Sequence, residues 1–325
     1  MDILYDPSPD PERRQLNTAA NDIFMCDNSL IMDTIANNPQ FIEKIFQVLL
    51  PYDEENLCKY QTADLPNFAP EVRRVPLTCA ENFCRLIFTL IKQQSRFYKV
   101  LQFLYTKLEI MTWFVYSIQS AAITETLHYI FKIDKNPEIT DLQAKIILDS
   151  QFIQNLYGLF LKNGIFEELV HVAFIFQSFL TTEMKSDVKK MIMTCLPSVI
   201  NEVLTPTANT SLVKNIYTII AITLKQAVRM GILSETVEDA QMYAEIVRDV
   251  LLASCPKFVT YLQMQILPEK DAPQNLYIVH TCTVISEIIK IQEAEFEFIR
   301  DKENLLLNHQ YAPEQAIQYL TDYYR

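Results

Sequence analysis

Glycine is almost missing from this chain. Only Gly158, Gly164 and Gly231 occur in 325 residues, where ordinary usage of about 7% would supply about 23. Glycine serves positive φ and close backbone approach. Hairpin turns and phosphate-cradling loops consume it. A chain this poor in glycine has few places to put them, whereas helices joined by short polar or proline-marked links need almost none. An all-α fold is expected.

The apolar pattern agrees. Phe83, Leu86, Ile87, Leu90 and Ile91 follow i, i+3, i+4, i+7, i+8, which gathers them on one helical face. Leu212, Val213, Ile216, Ile220, Thr223 and Leu224 do the same, and Leu276, Val279, Val284 and Ile288 more loosely. Phe166 to Leu180 and Asn215 to Leu224 are apolar on more than one side, as a helix buried within a layer would be. No alternating run is long enough for a strand. Prolines, including Pro39, Pro51, Pro76, Pro137, Pro197, Pro206 and Pro256, punctuate the chain where helices are expected to open or close. About 14 to 16 helices of about 10 to 20 residues follow, in pairs with the rhythm of armadillo and HEAT units, although no residue-level signature recurs. The expected organisation is a mobile arm over 1–16, then one right-handed α-solenoid domain over 17–325 with an irregular insertion near 51–76. A loop that long is functional or flexible as a rule.

Charge and motifs exclude several functions. The net charge of −12 and the pI near 4.9 give no basic footprint for nucleic acid. The small clusters Arg13-Arg14, Arg73-Arg74 and Lys189-Lys190 read first as solvated faces, and second as docking patches for an acidic partner. Glu293, Glu295, Glu297, Asp301 and Glu303 form an acidic run that reads the same way with the sign reversed. Seven cysteines with no CxxC, mostly among apolar neighbours, read as buried reduced thiols of a cytoplasmic protein, with the nucleus also open. The opening MDILYDPSPDPERR has neither a basic nor an apolar signal region, and Leu169 to Leu180 falls short of a membrane span. Phosphate-loop, dinucleotide and nucleophile-elbow motifs are all missing.

One metal site merits weighing. Glu125-Thr126-Leu127-His128 and Glu168-Leu169-Val170-His171 are both Glu-x-x-His on expected helices, the core of a di-iron carboxylate bundle. Glu109 and Asp149 would have to complete it, yet Asp149 is short and close to a helix end. Ordinary Glu–His spacing at i, i+3 is the plainer reading. His280 and His309 stand alone and read as capped or partly buried. No metal, cofactor or catalytic residue is assigned, and no enzyme is expected.

Two stretches resemble the SAPS family. The first is Asn17 to Leu50, where Met25-Cys26-Asp27 takes the place of the family's leucine-threonine-serine-aspartate turn and Phe41-Ile42-Glu43-Lys44-Ile45-Phe46 that of its leucine-leucine-x-lysine-leucine helix. The second is Asn82 to Phe131. Val100-Leu101-Gln102-Phe103-Leu104 fits the valine-x-phenylalanine-leucine segment. Ser117-Ile118-Gln119-Ser120-Ala121-Ala122-Ile123-Thr124-Glu125 stands where the family has His-Ile-Gly-Thr-Ser-Ala-Ile-Met-Asp. Ser117 replaces the histidine and Gln119 the glycine. The alanine-isoleucine and the following acid remain. About 85 residues match in this way, and the last hundred match only as generic helices.

The resemblance implies a helical-repeat regulatory subunit that binds the catalytic subunit of a type-6, type-2A-like serine/threonine protein phosphatase, and that brings it to substrate or adaptor proteins. It implies no catalytic residue here. Positions in the matching stretches nominate contacts: Asp27 and Asn28 in the first turn, Arg96 and Lys99 before Val100, and Gln119, Ser120 and Glu125 in the altered signature. Caps and turns use the same residue types. Another armadillo or HEAT adaptor, such as a type-4 phosphatase subunit or a trafficking scaffold, is the alternative.

Overall fold

A computed structural model describes residues 11–266 and Ser286, apart from 27, 51, 54–57, 60–74, 133, 163–164, 206–207, 209 and 235. It is all-helical, with thirteen α-helices among the described residues. In order these are α1 (Pro11–Met25), α2 (Ser29–Ala36), α3 (Pro39–Phe46), α4 (Leu77–Ile91), α5 (Gln94–Thr106), α6 (Glu109–Ser117), α7 (Ala121–Ile130), α8 (Pro137–Asp149), α9 (Phe152–Leu161), α10 (Phe166–Thr181), α11 (Ser186–Val203), α12 (Thr210–Leu233) and α13 (Val237–Ile266). A 3-10 turn, Gln47–Leu49, follows α3. Within the 51–76 insertion, Tyr52–Asp53 (β1) pairs antiparallel with Cys58–Lys59 (β2) in a two-residue ladder. Helix begins at Pro11, inside the stretch expected to be a mobile arm. The Leu276 to Ile288 pattern, the acidic run, His280, His309 and Cys282 lie outside the described residues.

Local chemistry explains several helix starts. Asn28 Oδ1 accepts from the backbone N–H of Leu30 at 3.0 Å and of Ile31 at 3.4 Å, capping α2. Asn38 and Asn136 cap α3 and α8, each followed by proline at the first helical position. There the missing N–H costs nothing and the fixed φ suits the helix. Two of the expected stops are not stops. Pro197 lies inside α11 and Pro256 inside the 30-residue α13. A proline removes one backbone bond and bends the helix, and here buried residues continue on both sides, Met193 and Val199 around the first, Val250 and Phe258 around the second. Gly158 and Gly231 sit within α9 and α12, so the described links turn without glycine.

The chain separates into two compact units, Met1–Leu156 and Tyr157–Arg325. In the first, α4 packs on α7, α5, α1 and α2, and α5 also packs on α8, α2 and α3. Four phenylalanines knit this core. Phe46 of α3 meets Phe83 of α4 at 5.7 Å, Phe114 of α6 at 5.8 Å and Phe103 of α5 at 6.4 Å between ring centres. Edge-on and offset geometries of this kind add to what burial alone contributes. The stripe Phe83, Leu86, Ile87, Leu90 and Ile91 is wholly buried, as its spacing required.

In the second unit α12 packs against both α10 and α13, and α11 packs on α13. Leu212, Val213, Ile216, Ile220, Thr223 and Leu224 are all buried. The Tyr157 ring lies 4.5 Å from that of Phe176, tilted by 37°, and its hydroxyl donates to the Ile192 carbonyl at 2.8 Å. Its burial pushes the phenol well above its usual range.

Candidate interaction surface

The nominated positions divide by burial. Asp27 lies outside the described residues. Asn28 is exposed, but its side chain is engaged in capping α2. Arg96, nominated as a contact, is only 1% exposed. Its Nε donates to Asp33 Oδ1 at 2.7 Å, and its Nη2 approaches the Ser29 carbonyl at 3.4 Å. This places Arg96 inside the first unit, tying α5 to α2, and removes it from any docking face. Lys99, one turn on, is half-buried and donates to Asn37 Oδ1 at the end of α2. The structure thus brings Arg96 and Lys99 together along the helix that Asn28 begins.

Gln119 and Ser120 are half-buried in the α6–α7 turn, and Glu125 is exposed on α7. The Ser120 carbonyl accepts from the Thr124 N–H at 3.0 Å, which starts α7. Ser117, standing where the resembled family has histidine, is 1% exposed and donates to the Leu49 carbonyl at 2.8 Å. That bond fastens the end of α6 to the 3-10 turn. Beside Glu125 on α7, Tyr129 is 40% exposed and lies 4.4 Å from the half-buried Phe88 of α4. His128 is half-buried. Burial foremost and Lys132 next hold its imidazole below the usual histidine range, while Glu125 pulls the other way. This α4–α7 face, aromatic at its centre and charged around it, was not read from sequence. Its signal was i, i+4 spacing of Glu125 and Tyr129 on a helix whose other side is apolar.

The Glu-x-x-His pairs have separate surroundings. Glu168 is buried and its Oε2 accepts from the Ile165 N–H at 3.2 Å, reaching back to the start of its own helix. Among the described residues, no three His, Cys, Asp or Glu side chains converge on one point. Cys79, Cys84 and Cys255 are buried, Cys195 half-buried and Cys26 exposed, all as free thiols. Burial raises Cys84 and Cys195 above the usual thiol range and Cys255 to about 11, which keeps them protonated and poor nucleophiles at neutral pH. Ser211–Leu233 is long and apolar enough to cross a membrane by length and composition, and half of that window is buried in the second unit.

Compared with family models, with curated proteins and with solved structures, the chain finds no match. The first unit presents a helical face along α4 and α7. It carries Tyr129, Phe88 and Glu125 on α7 and α4, with the α6–α7 turn at its end.

Proposed function

We propose that this chain is a non-catalytic scaffold, a right-handed stack of armadillo- or HEAT-like helix pairs. It holds the catalytic subunit of a type-6-like serine/threonine protein phosphatase and directs it to substrates. The observation that carries the reading is the joining of the two resembling stretches. Asn17 to Leu50 and Asn82 to Phe131 lie apart in sequence, yet Arg96 pairs with Asp33 and Ser117 bonds to Leu49 across them. A resemblance split over two segments has more weight when both belong to one packed body.

On this reading Gln119, Ser120, Glu125 and Lys99 are the nominated positions still able to face a partner. Selection of substrate comes from tethering, which raises local concentration without any chemistry by the scaffold. The test is affinity purification of the tagged chain followed by mass spectrometry. Recovery of a type-2A-like phosphatase catalytic subunit, reduced by Glu125→Lys combined with Tyr129→Ala, supports the proposal. Recovery of binding proteins that never include a phosphatase catalytic subunit sinks it and leaves the general adaptor.

A further inference from the structure

Phe88 of α4 and Tyr129 of α7 bring their ring centres to 4.4 Å, tilted by 45°, at the surface of the first unit. Just past the ends of the two helices, the Gln94 amide donates to Asp134 Oδ1 at 3.3 Å. The two contacts rise together in residue number, so α4 and α7 run side by side in the same direction. Lys92 and Lys132 fall between these contacts. Lys92 stands four residues after Phe88 and closes α4 in helical conformation (φ −58°, ψ −33°). Lys132 stands three residues after Tyr129, and its N–H donates to the Tyr129 carbonyl at 3.3 Å, which carries the last turn of α7 past its end. Residues three and four apart share a helical face, with Cβ atoms about 5–6 Å apart. Each lysine is therefore the next-turn neighbour of one ring, and both lysines are exposed.

The charge around the rings departs from the rest of the chain. Within one turn of them on α4 and α7 stand the exposed Arg85, Lys92, Lys132 and Glu125, three cations and one acid. The chain as a whole has 40 Asp and Glu against 28 Lys and Arg, so the balance is reversed here. His128, in the same span, is held below the usual histidine range by burial foremost and adds no charge at neutral pH. Asp134, two residues after Lys132, accepts from the Gln94 amide and from the Asn136 N–H at 2.8 Å. A lysine also suits the C-terminal end of a helix through the macrodipole. That accounts for one cation at each end, but not for an exposed aromatic contact beside both.

Exposed tyrosine is a frequent anchor point for an apolar side chain of a partner, and a lysine ammonium pairs with a carboxylate as a compact point charge. The spacing suits an extended chain. One helical turn rises about 5.4 Å. Residues i and i+2 of an extended strand lie about 6.6 Å apart with their side chains on the same side. A segment that sets an apolar side chain on the two rings therefore carries the side chain two positions away over the lysines. A nucleic acid or a lipid surface would meet the chain's net −12 over a wide area. A short segment meets chiefly the charges within about 8 Å of it at physiological salt, and here these are cations in the majority.

We infer that the α4–α7 face docks an acidic, extended segment of a partner protein. An apolar residue of that segment packs on Tyr129 and Phe88, and an Asp or Glu two positions away pairs with Lys92 and Lys132. The inference rests on the reading that this face receives the partner, and it names the chemistry of what is received. It does not depend on that partner being a phosphatase.

The test selects random peptides displayed on phage against the immobilised full chain, then titrates the selected peptides, made with a fluorophore, by anisotropy. The selected peptides are expected to share an apolar residue with an Asp or Glu two positions away. Lys92→Gln combined with Lys132→Gln is expected to weaken their binding about fivefold, within what two exposed ion pairs supply. Tyr129→Ala is expected to weaken it about fivefold or more. Lys214→Gln, an exposed lysine of the second unit, is expected to change it less than about twofold. Trp113 fluorescence reports that the first unit stays folded in each variant, and the exposed lysines carry the test even if Tyr129→Ala folds poorly. Three results would overturn the proposal: selection that returns no shared pattern, selection that returns a basic pattern, or an acidic pattern whose affinity is unchanged by the double lysine substitution. A phosphatase missing from the affinity purification leaves this result standing, and failure here leaves the tethering reading standing, so the two fail separately.

Discussion

The Arg96–Asp33 pair is lopsided, and the asymmetry makes a sharp test. Arg96 is 1% exposed while the Asp33 side chain is 51% exposed. Removing the partner of a buried charge costs about 3–5 kcal/mol as a rule. Water reaches Asp33 and weakens the pair, so Asp33→Ala is expected to cost less than that, about 2–3 kcal/mol. Arg96→Met keeps most of the buried stem volume and leaves a half-exposed carboxylate that water can solvate. It should cost about 1 kcal/mol or less. The double variant should be no less stable than Arg96→Met alone. Trp113 makes the measurement selective, because it is the only tryptophan in the chain and sits buried in α6 of the first unit. With a urea slope of about 2 kcal/mol/M, Asp33→Ala should lower the fluorescence midpoint by about 1 M and Arg96→Met by about half that or less. If Asp33→Ala shifts the midpoint no further than Arg96→Met, the argument from unequal burial is refuted.

Three further outcomes can be measured. Gln151, the non-glycine residue with positive φ (56°) among the described residues, should relax on substitution. Gln151→Gly is expected to gain about 0.5–1 kcal/mol in thermal melts, and a lower melting temperature would contradict the strain assigned there. Ser117→Ala leaves the Leu49 carbonyl without its hydroxyl donor and should cost about 1–2 kcal/mol by Trp113 fluorescence in urea; a loss under 0.3 kcal/mol would show the bond to be unimportant. His128 has a folded pKa below its unfolded value of 6.5, so the folded state binds fewer protons than the unfolded state between the two. Its contribution is present above pH 6.5 and is lost as pH falls through the depressed folded value. His128→Gln should therefore show a smaller loss of stability than the parent on going from pH 7.5 to 5.5, and parallel losses would exclude His128 as the cause.

Much of the fold was legible because it depends on local spacing. The stripes on α4 and α12 follow from side chains three and four residues apart, and the starts of α3 and α8 from Pro39 and Pro137. Helix length was harder. Pro197 and Pro256 read as stops, yet burial on either side holds one helix together through each. The site was least legible. A lone arginine at position 96 reads as surface, and only the fold reveals that Asp33, 63 residues earlier, draws it inside. Serine at 117 looked like the loss of a histidine, whereas its hydroxyl secures a carbonyl 68 residues away. Partners at such separation leave no local pattern to read.

The links between helices have an evolutionary consequence. Gly158 and Gly231 lie within helices, and among the described residues positive φ occurs at Gln151 alone outside glycine. Corners made in ordinary backbone conformations tolerate most residue types. Selection then acts chiefly on buried positions, and there Ile, Leu, Val and Phe exchange with modest repacking. Such a lineage can replace most of its letters while keeping its helices. In such a lineage the order and lengths of the buried stripes change more slowly than any short motif.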